Sequence, residues 1–189
     1  MAKKKTVKIQ KKKKAWYNVI APPEFKNENL GMTPASNPET LAGRILKVNM
    51  VVLTRNMKKQ SFSIFFRIKD VRGLDAHTEV IQYRMNNIHV KRIVKKGKDK
   101  IDASFIVKTK DDANVRIKPI LLTRNKVQNS VLTSLRKAAE KMIVIEAKKM
   151  DYPMLINMII DGTLQKQLKK SLKKIYPLSI VDIRMFKKL

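Results

Sequence analysis

Residues 16–25 read WYNVIAPPEF, an aromatic and β-branched run that stops at a Pro-Pro pair. Aromatic and β-branched side chains favour strands, and consecutive prolines interrupt regular structure. The run therefore predicts a first strand that attaches whatever precedes it to a folded body. Trp16 and Tyr17 allow two interpretations: they stack on exposed RNA bases, or they anchor the strand in the core. We favour the core because an aromatic beside β-branched residues usually packs, and we keep Trp16 among the candidate RNA contacts.

Lysine dominates the segment before this strand, residues 1–15. Val7 and Ile9 are its only sizeable apolar side chains, so burial cannot offset the conformational entropy that ordering would cost. We expect an arm that is disordered on its own and that a polyanion orders, because each lysine paired with a phosphate releases condensed counterions. The candidate RNA contacts in the arm are Lys3, Lys4, Lys5, Lys8, Lys11, Lys12, Lys13 and Lys14.

The charge of the whole chain points in the same direction. With 189 residues and 43% hydrophobic side chains the chain can build a core, which excludes a fully disordered protein. Its 43 Lys and Arg face only 15 Asp and Glu, and the net charge of +28 far exceeds what solubility requires. Nucleic acid is the commonest partner for such a surplus, and an anionic membrane surface is the alternative. No apolar run approaches the roughly 20 residues that span a bilayer, and no signal peptide is visible, so we expect a soluble intracellular protein.

The residues that most enzymes need are missing from the sequence. There is no cysteine, and His77 and His89 are the only histidines. The pair Asp111-Asp112 lies in a predicted turn, where a turn role outweighs a metal-binding role. No glycine-rich phosphate loop, nucleophile elbow or zinc-ligand spacing is present. We therefore predict a protein that is not an enzyme and uses neither a cofactor nor a metal.

Between residues 26 and 123, hydrophobic alternation predicts mostly strands. Residues 26–41 lack periodicity and contain Gly and Pro, so we predict a loop there. The next two runs, separated by a polar tip, predict an antiparallel hairpin, and a helix that stops at Gly97 follows the third strand. Pro119 lacks an amide hydrogen, which predicts an edge position or a bulge for its strand. The predicted strands are 44–53, 61–71, 78–85, 101–108 and 115–123, and the predicted helix is 87–96.

After residue 124 the hydrophobic period lengthens from two to between three and four, which predicts three helices. The first covers 127–149, the second starts at Asp151 and ends at Gly162, and Thr163 caps the third. An alternating run over 180–186 ends the chain as a strand that must return to the sheet. The apolar stripes of the first and third helices are Val131, Leu135, Ala138, Met142 and Ile145, and Leu164, Leu168, Leu172 and Ile175.

Together these elements predict an α+β fold. Five or six predominantly antiparallel strands before residue 124 would curl into an open, barrel-like sheet. The C-terminal helical part would pack beside that sheet before the last strand returns to it. The predicted domain organisation is a disordered basic arm at 1–15, a β-rich barrel-like body at 16–125, and a helical segment with the final strand at 126–189.

Three basic clusters outside the arm carry charges that the predicted fold does not explain. The hairpin tip is as well explained by a solvated turn as by phosphate contact. For the run around Gly97 we favour phosphate contact, because few acidic residues neighbour it, and the strand-to-helix junction is a weaker candidate. The lysine face of the third helix is at least as well explained by ordinary solvation. The candidate RNA contacts are Arg55, Lys58 and Lys59 at the tip, Lys91, Arg92, Lys95, Lys96, Lys98 and Lys100 in the run, and Arg124 and Lys126 at the junction.

A series of short motifs runs in order along nearly the whole chain. The motifs are Trp16-Tyr17-x-Val19-x-Ala21-Pro22, Leu41-Ala42-Gly43-Arg44, Phe66-Arg67, Leu135-Arg136-Lys137, Gly162, Ile175-Tyr176-Pro177-Leu178 and Arg184. None is specific alone, but the series resembles one family, the small-subunit ribosomal proteins called S-three-A in eukaryotes and S-one-e in archaea.

The resemblance implies a barrel-like body on the platform of the small ribosomal subunit, bound to rRNA near its 3′ region and close to the mRNA exit side. The partners it implies are small-subunit rRNA, neighbouring ribosomal proteins, and mRNA and initiation factors at the exit side, without a membrane. Residues 162–175 are lysine-rich here where eukaryotic members carry acidic residues, and the chain ends at Leu189 without the longer eukaryotic tail. We therefore expect the shorter, archaeal-type form in the cytoplasm.

The leading hypothesis is a structural rRNA-binding protein of the small ribosomal subunit. Phosphate contacts would supply its affinity, and RNA shape would set its register. A soluble RNA-binding translation factor or RNA chaperone is the alternative hypothesis, and a membrane-surface protein is the third.

Overall fold

The computed structural model describes residues 13–189, which fall into two compact units. The first unit comprises residues up to 45 together with 67–79, and the second comprises 46–66 and 80–189. The strands are β1 (Ala15–Ile20), β2 (Asn29–Ala35), β3 (Ile45–Asn49), β4 (Phe62–Arg72), β5 (Asp75–Met85), β6 (Lys100–Asp102), β7 (Phe105–Lys108), β8 (Asn114–Thr123) and β9 (Leu178–Lys188). The α-helices are α1 (Met50–Thr54), α2 (Asn87–Ile93), α3 (Asn129–Lys149), α4 (Tyr152–Asp161) and α5 (Thr163–Leu172), and short 3₁₀ helices cover Pro23–Phe25, Pro38–Leu41 and Met57–Lys59.

In the first unit, β1 lies between β2 and the start of β5. It pairs antiparallel with β2 and parallel with residues 75–77 of β5. Thr78 supports the parallel pair, since its hydroxyl donates a hydrogen bond to the carbonyl of Ile20 at 2.8 Å. Tyr17 and Val19 alternate into the core and are buried. The strand predicted at the start of residues 16–25 is therefore confirmed.

Strand β2 occupies much of the loop predicted over 26–41, and that prediction is wrong. Gly31 and Pro34 conceal the strand in the sequence, because both residue types are uncommon inside strands. The backbone nevertheless pairs with β1 along the whole of β2. Arg44 holds β2 from the side, since its guanidinium donates to the hydroxyl of Thr33 and to the carbonyl of Pro34. Tertiary pairing has here overridden a sequence pattern that is typical of a loop.

In the second unit, β8 is a central strand. It pairs antiparallel with β9 on one side and with β6 and β7 on the other, so the single strand predicted over 101–108 is divided. The register of β8 against β9 shifts between Lys118 and Pro119, which confirms the predicted bulge and excludes the edge position. Strand β9 follows the helices and also pairs antiparallel with β5. The α+β class is confirmed, with an open, mixed sheet and a final strand that returns to it.

Two elements between β3 and β6 differ from their predicted lengths. The strand predicted over 44–53 ends at Asn49, because the side-chain oxygen of Asn49 accepts a hydrogen bond from the amide of Val51 at 3.0 Å and caps α1. Helix α2 ends at Ile93, four residues before its predicted stop at Gly97. Because α1 and the 3₁₀ helix Met57–Lys59 lie between β3 and β4, the connection of these two strands is helical, whereas the pattern predicted a simple turn.

Helices α3, α4 and α5 each bury one face. Tyr152 fixes the start of α4, because its hydroxyl donates to the carbonyl of Val80 at 2.8 Å and its ring stacks on Phe186 with 5.5 Å between centroids. Gly162 ends α4 in a left-handed conformation and is itself the N-cap of α5, so the predicted cap at Thr163 is wrong. The buried side chains are Leu135, Ala139, Ile143 and Ala147 on α3, Tyr152, Leu155, Ile156, Ile159 and Ile160 on α4, and Leu164, Gln165, Leu168 and Leu172 on α5.

Candidate nucleic-acid interface

Part of the basic arm lies outside the described residues. Lys13 and Lys14 are the first described residues; both are exposed and lead directly into β1. The candidates outside the described part are Lys3, Lys4, Lys5, Lys8, Lys11 and Lys12.

The two aromatics at the start of β1 have opposite environments. Tyr17 is buried, as the preferred interpretation predicts, whereas Trp16 is 62% exposed and the core interpretation is wrong for it. The strand alternation explains the difference, because successive side chains of a strand point to opposite faces. An exposed indole beside a lysine arm retains the ability to stack on an unpaired base.

The predicted hairpin tip consists of the end of α1 and the following 3₁₀ helix. The side-chain oxygen of Asn56 accepts a hydrogen bond from the amide of Lys58 at 3.0 Å, which fixes the start of the 3₁₀ helix. Arg55 and Lys58 are exposed and Lys59 is half-buried. Met57 is 69% exposed between them, so the tip presents an apolar side chain together with cations.

Two basic clusters that are separate in the sequence are joined in the structure. The backbone amide of Asp99 donates to the hydroxyl of Thr123 at 2.9 Å, and its carboxylate accepts from the amide of Val127 at 2.7 Å. These bonds tie residues 94–100, which are the loop before β6 and the first residue of that strand, to the loop 124–127, and we call the two segments together the loop pair. The exposed cations of the loop pair are Lys95, Lys96, Lys100, Arg124 and Lys126.

Two lysines of the loop pair also serve the fold. The Lys98 ammonium donates to the hydroxyl of Ser179 at 3.0 Å, and Lys100 forms an ion pair with Asp102 at 2.5 Å. Their charges are therefore partly engaged by the chain itself. Among the candidates of the loop pair, these two are the weaker ones for a phosphate.

A polar cleft lies between β3, β4, β5 and α2, which we call the Asn86 cleft. It consists of two shallow pockets of about 210 and 280 Å³ that share Asn86. The backbone amide of Asn86 donates to the backbone carbonyl of Ser61 at 2.8 Å, which holds the start of α2 against β4. The cleft is lined by Lys47, Asn49, Gln60, Ser61, Ser63, Phe65, Arg84, Asn86, Asn87, Ile88, His89 and Arg92.

His89 is a hydrogen-bonding group of this cleft, and its surroundings favour the uncharged imidazole. Burial lowers its pKa below the ordinary value, and the charge of Arg92 lowers it further. Its Nδ1 lies 3.0 Å from the hydroxyl of Ser61, and its ring is tilted against Phe62. The cleft thus combines uncharged donors and acceptors with the cations Lys47, Arg84 and Arg92, which suits an unstacked nucleotide whose base and phosphate are bound together.

Of the cations in this cleft, only Arg92 was predicted from the sequence as an RNA contact. Lys47 and Arg84 are single cations between apolar neighbours, and only their position on β3 and β5, on either side of β4, makes them a group. A signal was present, since Arg84 separates the buried Tyr83 and Met85 and must therefore point away from the core. The amides of Asn86 and Asn87 give no such signal, because asparagine before a helix is ordinarily a cap.

Acidic and histidine side chains do not gather into a metal site. Within residues 13–189 no group of three or more His, Cys, Asp or Glu is placed to hold a metal ion. Asp111 acts within the turn, as predicted: burial alone would raise the pKa of Asp111, but hydrogen bonds from Thr109 and the amide of Tyr152 hold it below the ordinary value.

Comparison with known proteins identifies the family of this chain. The sequence matches the Ribosomal S3Ae family over residues 2–189. The chain belongs to this family. The resemblance predicted from the motifs is therefore confirmed, and with it the prediction that the chain is a structural component of the small ribosomal subunit and not an enzyme.

The family relatives include several archaeal proteins named small ribosomal subunit protein eS1. The one from Nanoarchaeum equitans is 35% identical over 93% of this chain and 88% of its own length. Those from Methanobrevibacter smithii and Methanopyrus kandleri are each 32% identical, over 91% and 92% of this chain and 89% and 84% of their own lengths. None of the helices in the described part of the chain is long and apolar enough to cross a membrane.

Proposed function

We propose that this S3Ae family member binds rRNA through the loop pair, the Asn86 cleft and the basic arm, and so stabilises the small ribosomal subunit. The observation that carries the proposal is the joining of two basic loops by Asp99, which concentrates cations that the sequence separates by more than twenty residues. Phosphates bound there would release counterions and supply affinity. The cleft next to Arg92 would select a nucleotide that RNA structure leaves unstacked.

We further propose that the protein occupies the platform of the subunit, near the 3′ region of the rRNA and the mRNA exit side. The resemblance of the motifs to the S3Ae family supports this position. There mRNA and initiation factors would come within reach as additional partners. Mapping RNA crosslinks in purified small subunits tests the position, and crosslinks confined to rRNA outside the 3′ region would contradict it.

The salt dependence of RNA binding tests the loop pair. A variant with Lys95, Lys96, Arg124 and Lys126 replaced by Gln should flatten the plot of log affinity against log salt. Each lost phosphate contact removes roughly 0.7 to 0.9 from the slope, so four contacts remove about 3. Binding of the full chain to a fragment of small-subunit rRNA, measured between 50 and 300 mM salt, gives this slope.

The matched control removes the same number of charges from α5 and the turn after it, with Lys166, Lys170, Lys173 and Lys174 replaced by Gln. We expect a smaller change of slope for the control, because ordinary solvation explains that face. Equal slopes for the two variants would mean that net charge alone, and not the loop pair, drives binding.

Retention on the particle separates a structural subunit protein from a soluble factor. Small subunits washed in high salt should keep the protein at one copy per particle, because its arm, cleft and loop pair bind together. A soluble translation factor or RNA chaperone would wash off. Loss at salt concentrations that leave other ribosomal proteins bound would favour that alternative.

A further inference from the structure

The outer face of α4 differs from the rest of this basic surface. Pro153, Met154, Asn157, Met158 and Asp161 follow one another at helical spacing, opposite the buried face of the helix. With Asp151 they line an open, shallow pocket of about 460 Å³. We call this surface the α4 face. Its Met154 is 59% exposed, and α4 as a whole is more apolar than α3 or α5.

Charge makes the α4 face unsuited to RNA. Residues 150–165 contain no Lys, Arg or His, whereas the average density of 43 Lys and Arg in 189 residues would place about three or four in such a stretch. The ionic groups that remain are the carboxylates of Asp151 and Asp161, both exposed and without an ion-pair partner among residues 13–189. A phosphate backbone would be repelled there.

Neither carboxylate makes a side-chain hydrogen bond within residues 13–189. Asp151 is the N-cap residue of α4, but its side chain makes no capping bond; the amide of Tyr152 donates instead to the carboxylate of Asp111 at 3.2 Å. Asp161 is the last residue of α4, where the carbonyl end of the helix dipole repels a negative charge. A position that opposes local stability is expected to serve another purpose.

We propose that the α4 face docks a segment of another protein of the small subunit. This segment would place apolar side chains in the pocket lined by Met154 and Met158 and would carry Lys or Arg on either side of them. The two carboxylates would pair with those cations. Asp151 and Asp161 stand ten residues apart, about 15 Å along a helix, so the cations of the partner must be separated by about five residues if its segment is extended. Methionines adapt readily to the shape of such a partner.

A photocrosslinker tests which molecule covers the face. Benzoylphenylalanine replaces Met154 in the full chain, and small subunits containing this variant are purified and irradiated. We expect a crosslink to a protein segment that carries apolar residues flanked by Lys or Arg. A crosslink to rRNA, to a second copy of the chain or to residues 1–12 of the chain itself would overturn the proposal, as would the absence of any crosslink when the same photoresidue at Lys170 reacts.

Charge reversal tests the recognition itself. Asp161→Lys should lower the yield of the Met154 crosslink at least tenfold, while the variant still enters the subunit and binds rRNA. Asp70→Lys is the matched control: it makes the same charge change at an exposed site far along the chain, and should leave the yield unchanged. Asp161→Asn, a milder change, should give an intermediate loss. An undiminished yield in both Asp161 variants would overturn the proposal.

Discussion

Helices α4 and α5 follow one another directly, with only Gly162 between them, and yet they face outward with opposite chemistry. Each has ten residues, and each buries a stripe of leucine or isoleucine. The exposed side of α4 carries methionine and aspartate, whereas α5 and the turn after it expose lysines at 166, 169, 170, 173 and 174. The buried stripe thus determines that a helix forms, and the exposed residues determine what the helix can meet.

This contrast separates two uses of surface within one strongly basic protein. A lysine face close to RNA gains from counterion release and is repelled by other cationic segments. The α4 face has the reverse preference, because its carboxylates repel phosphate and attract the basic segments of neighbouring proteins. A protein of the small subunit is surrounded by both kinds of neighbour, and the outer faces of α4 and α5 would not accept the same kind.

The largest expected effect tests the shared feature, the buried stripe. Leu155→Ala on α4 and Leu168→Ala on α5 each empty a fully buried site and should each lower the free energy of unfolding by about 2 to 5 kcal/mol. Urea denaturation of the isolated protein measures both. If one variant lost less than a quarter of what the other loses, the inner faces would not be equivalent and the comparison of the two helices would fail.

A smaller effect concerns Asp182 on β9, next to Lys169 of α5. Burial raises the pKa of Asp182 to about 6, and the charge of Lys169 opposes part of that rise. The folded chain holds the proton of Asp182 more tightly than the unfolded chain does. Protonation of Asp182 therefore adds fully to the free energy of unfolding below about pH 4, and this contribution is lost as the pH rises through 6. Asp182→Asn avoids that loss, so from pH 4 to pH 7.5 it should gain up to about 3 kcal/mol relative to the native protein.

Urea unfolding at the two pH values measures this difference. Lys169→Gln should move the transition to higher pH, whereas Lys170→Gln, at a position that is also exposed, should leave it in place. A stability difference between Asp182→Asn and the native chain that does not vary with pH would contradict the assignment. A shift seen with Lys169→Gln alone would show that one exposed lysine of α5 affects folding stability through Asp182. That lysine would then differ from the others in the comparison of α4 with α5.

A buried helix face is visible in a sequence only where the residues on either side of it differ strongly in polarity. The α5 stripe was predicted correctly at Leu164, Leu168 and Leu172 because lysines surround it, although Ile175 is 44% exposed. The α3 stripe was predicted correctly at Leu135, but its later positions were placed beside the true ones. The helix buries Ala139, Ile143 and Ala147, and the predicted Ile145 is 52% exposed. Two of the three missed positions are alanines, which mark a buried face only weakly in a sequence.

Some parts of the candidate site are visible in the sequence, and others are visible only in the structure. Runs of lysine are visible in any sequence, and the structure brings the two runs at 94–100 and 124–127 together through one aspartate. The Asn86 cleft could not be predicted, because Lys47 and Arg84 come from strands whose neighbours are set by long-range pairing. The α4 face was concealed by its own apolar composition, which is equally typical of a helix buried on every side.

The smallest expected effect tests the charge difference between the C-terminal ends of α4 and α5. Asp161 stands at the carbonyl end of α4, where a negative charge is unfavourable, and Lys170 stands in the last turn of α5, where a positive charge is favourable. Asp161→Lys should therefore raise the free energy of unfolding, and Lys170→Glu should lower it, each by about 0.3 to 1 kcal/mol. For a chain of this length that corresponds to roughly 1 to 4 °C in Tm, measured by thermal unfolding at low salt. If Asp161→Lys lowered Tm instead, its carboxylate would serve the fold of α4, and the charge difference between the helices would no longer point to different partners.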